Sequence, residues 1–449
     1  MARYSSLKDS GVEWIGEIPS HWEKVSLGKI GILYGGLTGK SGDDFRSDNH
    51  PLNKSFIPFT NISNNTYISK THFQYVVIGD NENQNRVEKF DLFFLMSSED
   101  YGDLGKSSIL IEDVGELYLN SFCKGFRVKR DDVFPLFLNY QLLGDTHKKL
   151  ISIEGNGFTR INLRQDRLKE TPIFIPPLSE QQQIVSYLDT KTSLIDSLIE
   201  KTQRKIELLK EKRTSLINEV VTKGLNPNVE MKDSGVEGIG EIPRGWGVKR
   251  LKNVSDVKPS NVDKHIFPDE IQVRLCNYTD VYYNDFISES TELKPGSCNQ
   301  MEFEKFRLKK GDVIITKDSE SPDDIGIPCL VKDDFDDVVC GYHLTLIRPQ
   351  TMDGGFIFRF IQSDRTRRYF EIHSNGITRY GLGKSSIENL SLPFPPISEQ
   401  NEIVSYLDEH TQLIDKTISI EEKRIELLKE YRQSLISEVV TGKIDVRVN

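Results

Sequence analysis

The chain is poor in the residues that usually announce chemistry. It has five cysteines in 449 residues. Cys123, Cys276, Cys298, Cys329 and Cys340 form no CxxC pair and are odd in number, which speaks against a zinc site or a disulfide framework. They read as reduced thiols acting as small apolar groups. No apolar run approaches the 18 residues of a membrane span, and MARYSSLKDSG lacks the apolar core of a secretory signal, so a cytoplasmic location is expected. The eight histidines include no HExxH, and no Ser/His/Asp set is suggested by spacing. Gly35–Ser41 (GGLTGKS) ends like a phosphate-binding loop, but the first glycine of that motif falls at Tyr34. A methyltransferase needs a cofactor loop and an Asn-Pro-Pro-Tyr-like tetrapeptide, and neither is present. Glu302-Phe303-Glu304-Lys305 has the residue types of a nuclease, yet Glu-x-Lys recurs by chance in a chain that is 28% charged. No catalytic, metal or cofactor site is expected.

Two long stretches, once past an opening Pro-Pro, also lack glycine and proline, and these organise the chain. PPLSEQQQIVSYLDTKTSLIDSLIEKTQRKIELLKEKRTSLINEVVT (176–222) returns as PPISEQNEIVSYLDEHTQLIDKTISIEEKRIELLKEYRQSLISEVVT (395–441), identical at thirty of forty-seven positions at a constant offset of 219. Each reads as one long helix, started by Pro177 or Pro396 with Ser179 or Ser398 as expected N-cap. Apolar residues recur three and four apart, the seam of a left-handed coiled coil. Leu188, Ile195, Ile206, Leu209 and Leu216 in one copy, and Leu407, Ile414, Ile425, Leu428 and Leu435 in the other, are its expected core. Arg213, Arg432 and Glu421 occupy seam positions. They either fix register or snorkel out of it.

The repetition extends further. KDSGVEWIGEIPSHW (Lys8–Trp22) recurs as KDSGVEGIGEIPRGW (Lys232–Trp246), and GNGFTRINL (Gly155–Leu163) as SNGITRYGL (Ser374–Leu382). The order is lead-in, globular segment, helix, twice over, and in a ring Asn449 would lead into Met1. The expected division is lead-in 1–22, recognition domain 23–175, helix 176–225, linker and second lead-in 226–246, recognition domain 247–394, and helix with tail 395–449. The fold class is α+β, two mixed domains and two long helices in antiparallel pairing with an internal pseudo-twofold repeat. A parallel pair would place both inserts at one end. Ser55–Ile62 and Ile271–Val281 are β-like, Phe90–Met96 and Gly311–Lys317 form a second matching pair, and Pro135–Lys149 and Phe356–Phe370 have helical spacing.

Net charge is −10, which argues against a nucleic-acid partner, but the acid is dispersed: −2 over 1–175, +1 over 176–225, −5 over 226–394 and −4 over 395–449. Basic clusters sit within it at Lys124, Arg127, Lys129 and Arg130, at Arg160, Arg164, Arg167 and Lys169, and at Arg365, Arg367 and Arg368. Asn61, Ser97, Ser98, Tyr101, Asn277, Tyr278 and Lys317 fall at strand ends or in following loops, where amides, hydroxyls and ammonium groups can meet base edges or phosphates. Arg160 and Arg379 recur beside glycine, suited either to a shared phosphate contact or to an ion pair with the long helix. Lys40, in the Gly-rich turn, Arg164 and Lys384 complete the candidate DNA-binding set.

The two SEQ-x-x-IVSYLD helices, the repeated IELLKE, the KDSGVE lead-ins, and PFTNI and VRLCNYTDVY together make the chain resemble the DNA-specificity subunit of type I restriction–modification enzymes along its whole length. That resemblance implies two target-recognition domains reading the halves of a bipartite, asymmetric DNA site. It also implies an antiparallel helical spacer that docks two methyltransferase subunits, restriction/translocase subunits that join them, no cofactor, and no catalysis by the chain itself. Two rival readings are a nuclease or methyltransferase fused to a coiled coil, and a coiled-coil scaffold without DNA readout.

Overall fold

The computed structural model describes residues 3–45, 49–157 and 159–447, so Phe158 of the first N-G-x-T-R motif lies outside the described residues. The chain divides into two compact units, 1–202 with 423–449 and 203–422. Each unit therefore holds one globular segment, the first half of one long helix and the second half of the other.

The long helices run Leu178–Lys223 and Ile397–Val440. Helix 178–223 begins one residue before Ser179, and the Pro177 carbonyl accepts from the Gln181 N–H at 3.1 Å. Pro177 thus occupies the cap and Ser179 lies in the first turn, a correction to the expected serine cap. What the repeated Ser-Glu-Gln does is lock the helix to its neighbours. Buried Gln181 accepts from the Phe134 N–H and donates to the Pro176 carbonyl; Gln400 accepts from the Asp353 N–H and donates to the Pro395 carbonyl. Glu180 and Glu399 accept from the indole N–H of Trp22 and Trp246, each at 2.9 Å, which ties the lead-in to the helix start.

Within each unit the helices pair antiparallel. Arg432 meets Asp196 at 2.8 Å in the first unit; Lys205 meets Glu421 and Arg213 meets Asp415 in the second. Residue numbers of partners sum to a near-constant value, as opposed directions require. Leu188, Ile195, Ile206, Leu407, Ile414, Ile425 and Leu435 are buried, and Leu209, Leu216 and Leu428 are half-buried. The charged seam residues neither snorkel freely nor stand alone. Glu421 is 6% exposed and its carboxylate accepts from Lys205.

The globular parts share one topology. In the first unit, all-buried Leu92–Leu95 lies between Cys123–Val128 and Ser107–Ile109, with Gly31–Gly35 at the edge. In the second, Val313–Thr316 lies between Leu344–Pro349 and Pro328–Val331, with Ser255–Pro259 and Phe286–Ile287 at the edges. The extra strand has a remnant in the first unit, a single bridge from Tyr67 to Ile109. A second sheet repeats as well: Asn53–Ile57 runs parallel to Leu117–Leu119 and antiparallel to Gln74–Val77, as Ile271–Cys276 does to Val338–Cys340 and Lys294–Cys298.

Three expectations need amending. The β-like runs end early: Ser55–Ile62 turns helical at Phe59 after Pro58, and Ile271–Val281 turns helical at Tyr278. The helical stretches break in two, at Gly144 and at Gln362–Ser363. Two of the basic clusters largely dissolve, because acids near and distant in sequence claim them: Arg127 pairs with Asp91, Arg130 with Glu23 and Asp132, Arg164 with Asp166 and Arg167 with Glu154. The Arg127–Asp91 pair is itself duplicated as Arg348–Asp312, both at 2.7 Å on a nearly fully buried carboxylate.

Among the described residues no helix is long and apolar enough to cross a membrane, and no cluster of His, Cys, Asp and Glu has the spacing of a metal site.

Candidate nucleic-acid interface

The N-G-x-T-R motif is a tight hairpin that presents its arginine. Gly157 and Gly376 have φ of +140° and +150°, and a Cβ there would lie 2.0 and 1.9 Å from the carbonyl oxygens of Arg160 and Arg379. Only glycine permits that approach. The hairpin continues into Ile161–Leu163 and Tyr380–Leu382, which pair with two-residue strands, Ser97–Ser98 and Asp318–Ser319. The register is common to both: Ile161 faces Ser98, and Tyr380 faces Ser319.

Each arginine consequently lies over the same sheet position, on different chemistry. Arg160 donates from Nε to Ser97 Oγ at 2.7 Å, and its guanidinium stacks 4.9 Å from the ring of Phe122, which is 53% exposed. Arg379 donates to Asp318 Oδ1 at 2.8 Å. The other Asp318 oxygen lies 2.7 Å from His343 Nδ1, which is also 3.2 Å from Arg379. The hydrogen bond to Asp318 holds the Arg379 guanidinium above its ordinary value. Neither arginine pairs with a long helix, so that alternative is set aside.

Ser97, Ser98 and Arg160 line a cleft of about 390 Å³ together with Phe59, Glu99 and Phe122; Tyr101, half-exposed, follows in the same loop. Lys317 sits beside the second arginine, donating to the Ser260 carbonyl at 2.8 Å with its ammonium 4.7 Å from the Tyr342 ring. Burial holds that ammonium below its ordinary value. Tyr278 stacks on Tyr282 at 5.6 Å, and the hydrogen bond from Tyr282 to Asp324 pushes the Tyr282 phenol up to about 12.

Five candidates are placed elsewhere in the framework. Asn61 is buried; its amide donates to the Ser69 carbonyl and accepts from the Ser69 N–H, pinning the loop after its helix. Asn277 is the N-cap of the helix it precedes, in a capping box with Asp280. Lys40 is folded onto Glu82, Arg164 onto Asp166 and Lys384 onto Glu388. Phe122, Asp318, Tyr342 and His343 were missed. Aligning FDLFFLMSS with GDVIITKDS puts Ser97 against Asp318 and, at the same offset, Phe122 against His343, and that offset was the available signal.

The comparisons agree with this duplicated architecture. A model of the type I restriction modification DNA specificity domain matches residues 19–208 and again 243–430. The type I restriction enzyme MjaIX specificity subunit of Methanocaldococcus jannaschii is 24% identical, over 96% of this chain and 95% of that protein. In fold, the chain resembles the HsdS subunit from Thermoanaerobacter tengcongensis, with a TM-score of 0.53 at 16% identity over 95% and 98% of the two chains. A chain from a structure describing complex assembly and conformational transition of the type I R-M system gives a TM-score of 0.71, also at 16% identity, over 95% and 99%. With two matches that together span most of its length, the chain belongs to the type I restriction modification DNA specificity family.

Proposed function

We propose that this chain is the non-catalytic subunit that reads a bipartite, asymmetric double-stranded DNA site and brings two methyltransferase subunits, and restriction/translocase subunits, to it in the cytoplasm. One observation carries the reading. The same framework occurs twice, with the same arginine on the same short sheet, while the residues around that arginine differ. Shared parts suit phosphate positioning, and divergent parts suit base readout. Residues 23–175 and 247–394 then act as the two recognition domains. Ser97, Ser98, Tyr101 and Arg160 serve one half-site, and Tyr278, Lys317 and Arg379 the other. The long helices hold the partners.

The test is an exchange. Residues 23–172 are replaced by the matching segment of a relative, both helices are kept, and the variant is expressed with its methyltransferase partner. Sequencing of methylated DNA is expected to show one half-site replaced and the other intact. Replacement of both halves would mean that the two segments do not read DNA independently.

A further inference from the structure

Within the first unit, a cleft of about 1010 Å³ separates the globular part from the helical pair. Its carboxylates are already engaged. Asp189 accepts hydrogen bonds from the Tyr67 and Tyr140 hydroxyls, and Asp196 holds Arg432. Its cations are not all matched. Lys106 reaches only Asp103, at 3.7 Å, and the half-buried Lys148 ammonium makes no ion pair or hydrogen bond among the described residues. Burial, then the proximity of Lys106, holds the Lys148 ammonium below its ordinary value, while Asp145 and Asp103 act in the opposite sense. An unmatched, partly desolvated cation in an open cleft is costly unless an anion completes it.

The position of the cleft narrows the choice of anion. The short helix Phe59–Asn64 gives Phe59 and Ser63 to the arginine cleft and Asn64 to this one. The turn from Asp103 to Lys106 joins them too, with Asp103 in the first and Lys106 in the second. The two clefts are therefore neighbours within the first unit, bordered by the same two segments. The counterpart in the second unit is smaller and has its lining cations paired. At the 219 spacing, Tyr140, Lys148, Asp189 and Arg432 correspond to Arg359, Arg367, Asp408 and Arg213. There the cleft is about 290 Å³. Arg359 and Lys332 both close on Asp408, and Arg213 closes on Asp285 and Asp415; Arg367, which does not line that cleft, is 54% exposed and lies 3.6 Å from Asp364.

Resting on the DNA-reading proposal, we infer that Lys148, assisted by Lys106, binds a backbone phosphate of the duplex flanking the half-site read by the first unit, and that the second half-site lacks this contact. The experiment uses the full chain in complex with its methyltransferase partner, with DNA affinity measured across a salt series for wild type, Lys148→Gln and Lys148→Arg. Each phosphate neutralised contributes about 0.9 to the slope of log K against log salt. Lys148→Gln is expected to flatten the slope by about that amount and to weaken binding severalfold at low salt, with Lys148→Arg restoring both. Methylphosphonate substitution beside the first half-site, as assigned by the domain exchange, should weaken wild type and leave Lys148→Gln unaffected; beside the second half-site it should weaken neither differentially. An unchanged slope overturns the inference. So does loss of partner from the Lys148→Gln complex, which would make the occupant a partner carboxylate. Lys148-dependent thermal protection by inorganic phosphate at matched ionic strength, with the DNA slope unchanged, overturns it in favour of a free oxyanion. A wild-type complex that marks no discrete sequence would sink the DNA reading as well, and is told apart because no substitution is involved.

Discussion

The first and second units share a sheet order, a buried Arg–Asp pair and a glycine-forced hairpin, and they part company where those features meet solvent. Over Ser97 and Phe122, Arg160 keeps its charge available; over Asp318 and His343, Arg379 has its charge matched. The same contrast recurs at the helix junction, where two tyrosines hold Asp189 but an arginine and a lysine hold Asp408. Duplication therefore preserved the positions of the junction groups and of the hairpin arginines more strictly than the charge around them. The two halves of an asymmetric site would then be gripped with different electrostatics, the first more sensitive to salt than the second.

The buried pair offers the most damaging way to probe what the units share. Asp91 and Asp312 are each about 1% exposed, so removing the arginine strands a buried carboxylate. That typically costs about 3–5 kcal/mol. Asp91 would keep the Tyr34 hydroxyl and the Glu88 N–H as donors, whereas Asp312 would keep the Lys309 N–H alone. Arg348→Ala is expected to fall nearer the upper end of that range and Arg127→Ala nearer the lower. Urea unfolding monitored by hydrogen exchange in each unit measures both, and equal losses would show that Tyr34 adds nothing.

How far these parts were legible depended on how local their causes are. Helix length, pairing sense and seam follow from period, absent glycine and proline, and chain order, all readable in a line of residues. The duplicated hairpin was visible too, because N-G-x-T-R is contiguous. The surroundings of Arg160 were not, since Ser97 and Phe122 arrive from segments 63 and 38 residues away by sheet pairing. Basic clusters misled for the same reason: Arg130 is matched by Glu23, 107 residues earlier. Asn61 looked like a reader because asparagine at a strand end often is exposed; a short helix after Pro58 turns it inward.

Acid separates the units by a smaller amount. His147 is fully buried, its Nε2 3.1 Å from the Pro172 carbonyl, and at the 219 spacing the second unit has Thr366. Burial pushes the imidazole down to about 4 from 6.5. Between those values the unfolded chain binds more protons than the folded one, so stability falls as pH drops from about 6.5 toward about 4. Above that window the group has no effect. The loss reaches about 3.5 kcal/mol at most, because each tenfold difference in proton affinity between the folded and unfolded chains is worth roughly 1.4 kcal/mol. His147→Thr should flatten the pH dependence of unfolding in the first unit, and an unaltered profile would place the acid sensitivity in other groups.

The gentlest test converts the short sheet under one unit's arginine into the other's. Ser97→Asp would give Arg160 the carboxylate that Arg379 has, and Asp318→Ser would give Arg379 the neutral partner that Arg160 has. Ser97 is itself buried, 7% exposed, so a carboxylate there also carries a desolvation cost. Both arginines are exposed, so the ion pair gained or lost is worth about 0–1 kcal/mol. That corresponds to a few-fold change in affinity at most. The direction is the informative part. If the duplicated arginines are phosphate contacts, Ser97→Asp flattens the salt dependence of DNA binding by up to about 0.9 in slope, and Asp318→Ser steepens it by a similar amount. Under that role the methylated sequence is unchanged in both variants, because phosphate contacts carry no base information. A base change confined to one half-site would instead make that arginine a reader of base edges. Asp318→Ser alone altering the motif would assign readout to the His343–Asp318–Arg379 group, with positioning left to Arg160.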